Sequence, residues 1–321
     1  MRSPSAPARR TRGGDESYHA PASNSHASAS APGQAVGYRA VVGTSGTGTG
    51  AHRRRDPQVD PYDIKDSRDP RRRRAKVFST VLFAIGIALL LVAAGLWGYN
   101  QWQYHQQDVV NEKLAAYATV DDSGSNAPQV DWSALKALNP EAVAWVQIPG
   151  TVVNFPVFQS SDNEKYLHTD ANGDRSLGGQ VFLDCENAAP GMQDQQTMVY
   201  GHHLRNGAMF KAVADMENQA ALDSVDTVWY VTPDATYELR PLFVYKTDGD
   251  DTDARTFDFE SADAFHEYLQ GLLARSSSRA SDAQAAIEGS DRVLSLCTCS
   301  YTGNETGRVI LVCAPKDSSQ G

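Results

Sequence analysis

The longest apolar run in the chain is VFSTVLFAIGIALLLVAAGLWG, residues 77–98, which is 22 residues long and contains no charged side chain. As a helix it would reach roughly 33 Å, enough to cross a hydrocarbon core. Beyond it the pattern shortens. Brief apolar stretches alternate with turn residues over 145–148, 152–158, 180–183, 197–200, 227–231, 237–245, 292–298 and 308–312, so eight strands are predicted. Little helix separates most of them, which points to a mainly β fold, a barrel or a sandwich. Residues 103–119 continue the apolar helix, and DDSGSNAP (121–128) is a polar linker. Asp131 is placed to cap a short helix running to Leu138, and Asn139-Pro140-Glu141 reads as the cap and first turn of another. A longer helix is predicted just before the strand at 292–298. Ser261 caps it, and Phe265, Tyr268, Leu269 and Leu272 recur along it at helical spacing, a stripe that reads as core packing.

Charge divides the chain in the same place as hydropathy. Residues 1–76 hold 15 Lys+Arg against 7 Asp+Glu, a balance of +8; the remaining 14 and 32 give residues 77–321 a balance of −18, for the total of −10. The head is rich in Ser, Ala, Gly, Pro and Arg and cannot bury enough apolar surface to offset its chain entropy, so disorder is expected over 1–76. Its last residues, RRRRAK (71–76), stand directly before the apolar run, while the residues just after that run carry almost no charge. The positive-inside rule then predicts a single-pass anchor over 77–98, with the basic tail cytoplasmic and the rest extracytoplasmic. Trp97, Tyr99, Trp102 and Tyr104 would form an outer aromatic belt. A cleaved signal peptide is disfavoured by the length of the run and its distance from the N-terminus. The head lacks interleaved aromatics, so its charge reads as a topology signal and a contact for anionic lipid; no nucleic-acid partner is expected.

The candidate chemistry lies near the C-terminus. VLSLCTC (293–299) reads as a strand ending in a cysteine, followed by a polar turn over 300–307 and a second strand opening with Arg308. Alternation puts Val293, Ser295, Cys297 and Cys299 on one face. Such a hairpin sets a thiol beside a guanidinium. With a histidine, the set comprises a nucleophile, a proton-transfer partner and an oxyanion stabiliser. The histidine candidates stand in MVYGHH (198–203), where a strand breaks at Gly201; His202 and His203 point to opposite faces, so one of them can meet the thiol.

Spacing alone leaves other uses for the four cysteines (Cys185, Cys297, Cys299 and Cys313) open. They could form disulfides, or Cys297 and Cys299 could make a redox or metal-binding pair. The Cα atoms of Cys297 and Cys299 would lie roughly 6.5–7 Å apart, marginal for a bridge, and no second pair stands at ligand spacing. DGDDTD (248–253) lacks the full calcium-loop ligand pattern and reads as a solvated acidic loop. No metal or cofactor is expected. Trp132, Trp145 and Trp229 read as core or interface anchors, and His105, His168 and His266 as exposed or structural.

The motif set resembles the sortases, cysteine transpeptidases of Gram-positive surfaces. Their signature, Thr/Ser-Leu-x-Thr-Cys followed about nine residues on by Arg, stands here as SLCTC (295–299) and Arg308. WVQIPGT (145–151), NFPVFQ (154–159), DNEKYL (162–167), SLGG (176–179) and VFLD (181–184) follow in the order expected of class B sortases. YGHHLRNGAMF (200–210) is close to that class's histidine motif, and the helix before the cysteine strand is a trait of the same class. The resemblance covers about 131–314. Ser295 stands where Thr is usual, Cys297 where a small polar residue is usual, and the head is longer than usual.

The resemblance implies a sortase-type closed β-barrel of about eight strands with short helices, including the extra helix before the catalytic-cysteine strand. It implies an anchor at 77–98, a juxtamembrane helix and linker over 99–130, a catalytic domain over 131–316 and a short tail over 317–321. It further implies that Cys299 is the nucleophile, His202 the general acid/base and Arg308 the oxyanion or positioning group. The partners it implies are secreted proteins bearing a C-terminal sorting signal and, as acceptor, a peptidoglycan-precursor amine or a pilin lysine.

Overall fold

The structure, a computed structural model, describes residues 70–121, 124–249, 251–299 and 307–316. Residues 1–69, most of the basic head, lie outside the described residues, as do 317–321. Helix α1 (Pro70–Ala115) runs 46 residues without a break, about 69 Å. Its most apolar window has a mean hydropathy of 2.7, and the apolar side chains from Val77 to Leu96 are exposed, Leu90 to 71%. The helix is long and apolar enough to cross a membrane, and its uncovered surface is what a lipid-facing span presents. Its C-terminal turns change character: Gln107 and Leu114 are buried, and Tyr104, expected in the aromatic belt, packs against the barrel core.

Two short strands, β1 (Ala118–Thr119) and β2 (Gln129–Val130), pair antiparallel after α1. Helix α2 (Trp132–Leu138) begins at Asp131, whose carboxylate accepts from the Ala134 amide at 2.9 Å. The second short helix expected at 139–141 does not form. The Asn139 side chain accepts from the Glu141 amide and donates to the Tyr166 hydroxyl and the Ala171 carbonyl, each at 2.9 Å. These bonds close a side-chain turn that leads straight into a strand.

The remaining elements are β3 (Ala142–Gln147), β4 (Asn154–Phe158), α3 (Lys165–His168), β5 (Val181–Leu183), β6 (Gln196–Tyr200), α4 (Lys211–Asp215), α5 (Gln219–Asp223), β7 (Val228–Val231), β8 (Thr236–Thr247), α6 (Ala262–Ala274), β9 (Ser276–Arg279), α7 (Ala283–Glu288), β10 (Val293–Cys299) and β11 (Arg308–Pro315). The order β11-β10-β6-β5-β4-β3-β7-β8, closed by pairing of β8 with β11, makes an eight-stranded barrel from the eight predicted strands. The polar strand β9 (SSSR) adds to β8 and was not predicted.

Alternation along the strands separates two cores. Val199, Leu294, Leu296, Val309 and Leu311 face inward, onto Met209, Phe210 and Val213. Met198, Val293, Cys297, Ile310 and Val312 face outward beneath α6, where they meet Phe265, Leu269 and Leu272. Helix α6 is capped by Ser261, which accepts from the Ala264 amide at 3.1 Å. Burial of each large side chain of its stripe contributes about 2 kcal/mol. Trp145 is fully buried in a third cluster, with its indole N–H on Asn154 at 2.8 Å. Trp229 joins that cluster and donates to the Gly124 carbonyl.

Candidate active site

Three adjacent strand ends carry the candidate residues. Strands β6 and β10 run parallel with Ser295 opposite Met198 and Cys297 opposite Tyr200. The Gly201 amide donates to the Cys297 carbonyl at 3.0 Å, so the ladder outlasts β6 by one residue. Continuing this register places Cys299 beside His202. On the other side, Cys299 is the antiparallel register partner of Arg308. The three positions therefore form a row across β6, β10 and β11, on the face that Tyr200, Cys297 and Ile310 share outside the barrel. His203 has the opposite parity and forms a β-bridge with Met209 instead.

Gly201 makes this strand end possible. A Cβ there would lie 2.7 Å from the ring of fully buried Phe210, which plugs the barrel beneath it. The Phe210 amide returns to the His202 carbonyl at 2.8 Å, fixing the histidine backbone. The His202 ring is half-buried, with Nε2 2.8 Å from the Leu167 carbonyl oxygen. A carbonyl only accepts, so Nε2 carries a hydrogen and Nδ1 of the neutral ring is the nitrogen that can take a proton. Burial pushes the His202 pKa below its ordinary 6.5; the Leu167 bond opposes this, and the nearby charges of His168 and Arg308 add to it. Arg308 is half-buried and donates from Nη1 to the Gly307 carbonyl at 3.2 Å.

These groups open into a cleft of about 310 Å³, whose lining includes Leu167, Tyr200, His202, Cys297, Arg255 and Arg308. Its walls are tied together by Asp184, the residue after β5, whose side chain is fully buried. Its two oxygens accept from Arg255 at 2.8 Å each, from the Tyr200 hydroxyl at 2.8 Å, from the Asn163 side-chain amide at 3.1 Å and from the Glu186 main-chain amide at 3.0 Å. Burial alone would raise the Asp184 pKa. The Arg255 fork, the Glu186 amide and the Tyr200 hydroxyl outweigh burial and leave the pKa below 3.8. One carboxylate thus joins the segment before α6, the histidine strand and the loop leading to Leu167. Asp184 ends the VFLD stretch (181–184) with no role assigned to it there, and no sequence pattern marks Arg255, 71 residues away.

Cys313 points into the barrel core, and burial pushes its pKa well up. Cys185 is half-buried and also pushed up, first by burial and then by the Asp184 charge. Both are free thiols. Asp184, Cys185 and Glu186 cluster closely enough to suggest an ion site, but both carboxylates already hold Arg255. In the acidic loop, Asp251 accepts from the Thr247 hydroxyl and the Asp253 amide and faces Arg275 at 3.7 Å. His105 and His168 are exposed, and His266 bonds the Ser290 carbonyl at 2.8 Å, a structural role.

Comparison with known proteins gives a consistent picture. A model of the sortase domain matches residues 146–316. Sortase B of Listeria monocytogenes is 27% identical over 240 residues, spanning 71% of this chain and 95% of that protein. Sortase B of Staphylococcus aureus is 26% identical over 246 residues, 75% of this chain and 97% of that one. Among solved structures, Clostridium perfringens sortase B superposes with a TM-score of 0.52 at 27% identity, over 58% of this chain and 99% of that one.

Proposed function

The chain belongs to the sortase family of cysteine transpeptidases, most like class B, and from that premise we propose that it cleaves a C-terminal sorting signal and joins the new carboxyl end to a cell-wall amine. The observation that carries this reading is the register row His202, Cys299 and Arg308, two of whose members, His202 and Arg308, line one cleft.

In the proposed sequence, Nδ1 of His202 takes the Cys299 thiol proton as sulfur attacks the scissile carbonyl carbon. Arg308 meets the oxyanion of the tetrahedral intermediate. The C–N bond then breaks, His202 returns the proton to the departing amine, and a thioacyl enzyme remains. An acceptor amine attacks that thioester, His202 takes the amine proton, and the C–S bond breaks to restore the thiol. The lowered His202 pKa suits the first step, because at neutral pH the ring is ready to accept. Cys185 and Cys313, both pushed up, are poor competitors for the nucleophile's role.

The apolar stretch of α1 is read as a single-pass anchor. The basic cluster at 71–76 keeps the N-terminal tail cytoplasmic, and the barrel lies outside. The test is turnover of the full chain in detergent micelles with a library of sorting-signal peptides and two acceptors, a peptidoglycan-stem amine and a lysine-bearing pilin peptide. Ligation to the wall amine supports wall anchoring. Exclusive use of the lysine makes the protein a pilin polymerase, and no ligation with either acceptor overturns the transpeptidase reading.

A further inference from the structure

Gln107 is buried to 2% exposure on a helix whose preceding turns are solvent-accessible or apolar. A buried amide costs about 1–3 kcal/mol unless its hydrogen bonds are made, so its partners matter. Gln107 has them on two separate loops. Its Oε1 accepts from the Ser176 hydroxyl and from the Gly178 amide at 3.1 Å. Its Nε2 reaches the Gly179 carbonyl at 3.3 Å and lies 3.9 Å from Met209 Sδ. One turn on, Asn111 donates to the same sulfur at 3.4 Å. The fit is close: a Cβ on Gly178 would lie 2.8 Å from Gln107 Cδ.

Both loops lead to His202. The segment holding Gly178 and Gly179 bonds α3 on either side of Leu167, through Ser176 to the His168 carbonyl at 2.9 Å and through Gln180 to the Tyr166 carbonyl at 2.8 Å. Leu167 is the residue whose carbonyl holds the imidazole. Met209, on the second loop, precedes Phe210, whose amide holds the His202 carbonyl.

We propose that Gln107 is a positioning residue: the end of α1 clamps the two loops that fix the ring and the backbone of His202, which makes the anchor helix part of the catalytic unit. The proposal rests on His202 being the acid/base group. A displacement of the ring by a fraction of an ångström lowers the rate of proton transfer without changing the surface that binds peptide.

The test uses the full chain in detergent micelles and compares wild type, Gln107→Met, which keeps side-chain volume but removes the amide, and Gln106→Met, at the exposed neighbour. The rate of acyl-enzyme formation at saturating peptide, the KM for peptide and the melting temperature are measured for each. Gln107→Met is expected to slow acylation about tenfold or more, with little change in KM, while Gln106→Met behaves as wild type. If Gln107→Met does not fold, Ser176→Ala, which removes a single partner, must show the same rate-selective loss. A lowered melting temperature with a wild-type acylation rate would overturn the proposal and leave Gln107 a packing residue. His202→Ala is run alongside. If it is inactive while Gln107→Met acylates normally, only the positioning role fails; if it retains turnover, the acid/base assignment fails and the proposal with it.

Discussion

The Nε2 of His202 is bonded to the main-chain oxygen of Leu167 at 2.8 Å, and that bond decides which ring nitrogen is left to accept a proton. It fixes the neutral tautomer with the hydrogen on Nε2. It also opposes, without cancelling, the downward push that burial and the neighbouring charges exert on the imidazole pKa.

The pH profile follows. In a thiol–imidazole pair the acid limb of kcat/KM reports the lower of the two pKa values, whichever group carries the proton in the reactive form. With His202 below 6.5, the acid limb is expected below that pH. His168→Ala removes a charge that lowers the His202 pKa, so the limb should move upward. A downward shift in a pH titration of peptide turnover would contradict this assignment. For stability the sign is the same: the neutral ring is favoured in the folded state, so this group's contribution is present above pH 6.5 and lost as pH falls through the depressed folded value.

The Asp184–Arg255 pair predicts a stability effect with its own pH dependence. Arg255 is partly exposed but Asp184 is fully buried, so Arg255→Ala removes the counter-charge and leaves the carboxylate only its Tyr200, Asn163 and Glu186 hydrogen bonds; the cost should be about 2 kcal/mol at neutral pH by urea unfolding. Because the folded Asp184 pKa is depressed, its stabilisation is present above 3.8 and lost as pH falls through the folded value. The gap between variant and wild type should therefore shrink in acid. A gap that stays constant across that range would place the pair's contribution elsewhere.

Gly179→Ala is expected to destabilise by about 2 kcal/mol or more and to slow acylation. The backbone there has φ +52°, and a Cβ would sit 2.1 Å from the Tyr166 carbonyl oxygen and 2.8 Å from that of Leu167. The measurement is a urea midpoint together with single-turnover acylation. Unchanged acylation in the folded variant would show that Leu167 tolerates displacement.

Cys185→Ser should leave turnover unchanged, since burial and the Asp184 charge both disfavour its thiolate. Loss of the acyl-enzyme in that variant would point to a different nucleophile.

What the sequence made legible follows the physics of burial. The eight barrel strands were readable because each buries apolar side chains in short runs bounded by turn residues, and β10 and β11 are the clearest cases. Strand alternation showed that only one of His202 and His203 could meet the thiol, and the resemblance chose His202; the bridge of His203 to Met209 fits that parity. Strand β9 was not readable, because Ser276–Arg279 is held by backbone pairing to β8 and carries no hydrophobic pattern. The helix expected after Asn139 failed because one asparagine can cap a helix or close a turn, and here tertiary bonds to Tyr166 and Ala171 select the turn. Gln107 and the Asp184–Arg255 pair escaped for a common reason: a buried polar group looks exposed in hydropathy until its distant partners are known.

The central claim is that Cys299, and not Cys297, carries the acyl group. The most direct test is to trap the full chain with a cleavable sorting-signal peptide, omit the amine and map the adduct by tandem mass spectrometry. The account predicts an acyl adduct on Cys299, discharged on adding amine, absent in Cys299→Ala and retained in Cys297→Ala. An adduct on Cys297, or turnover that survives Cys299→Ala, would contradict it.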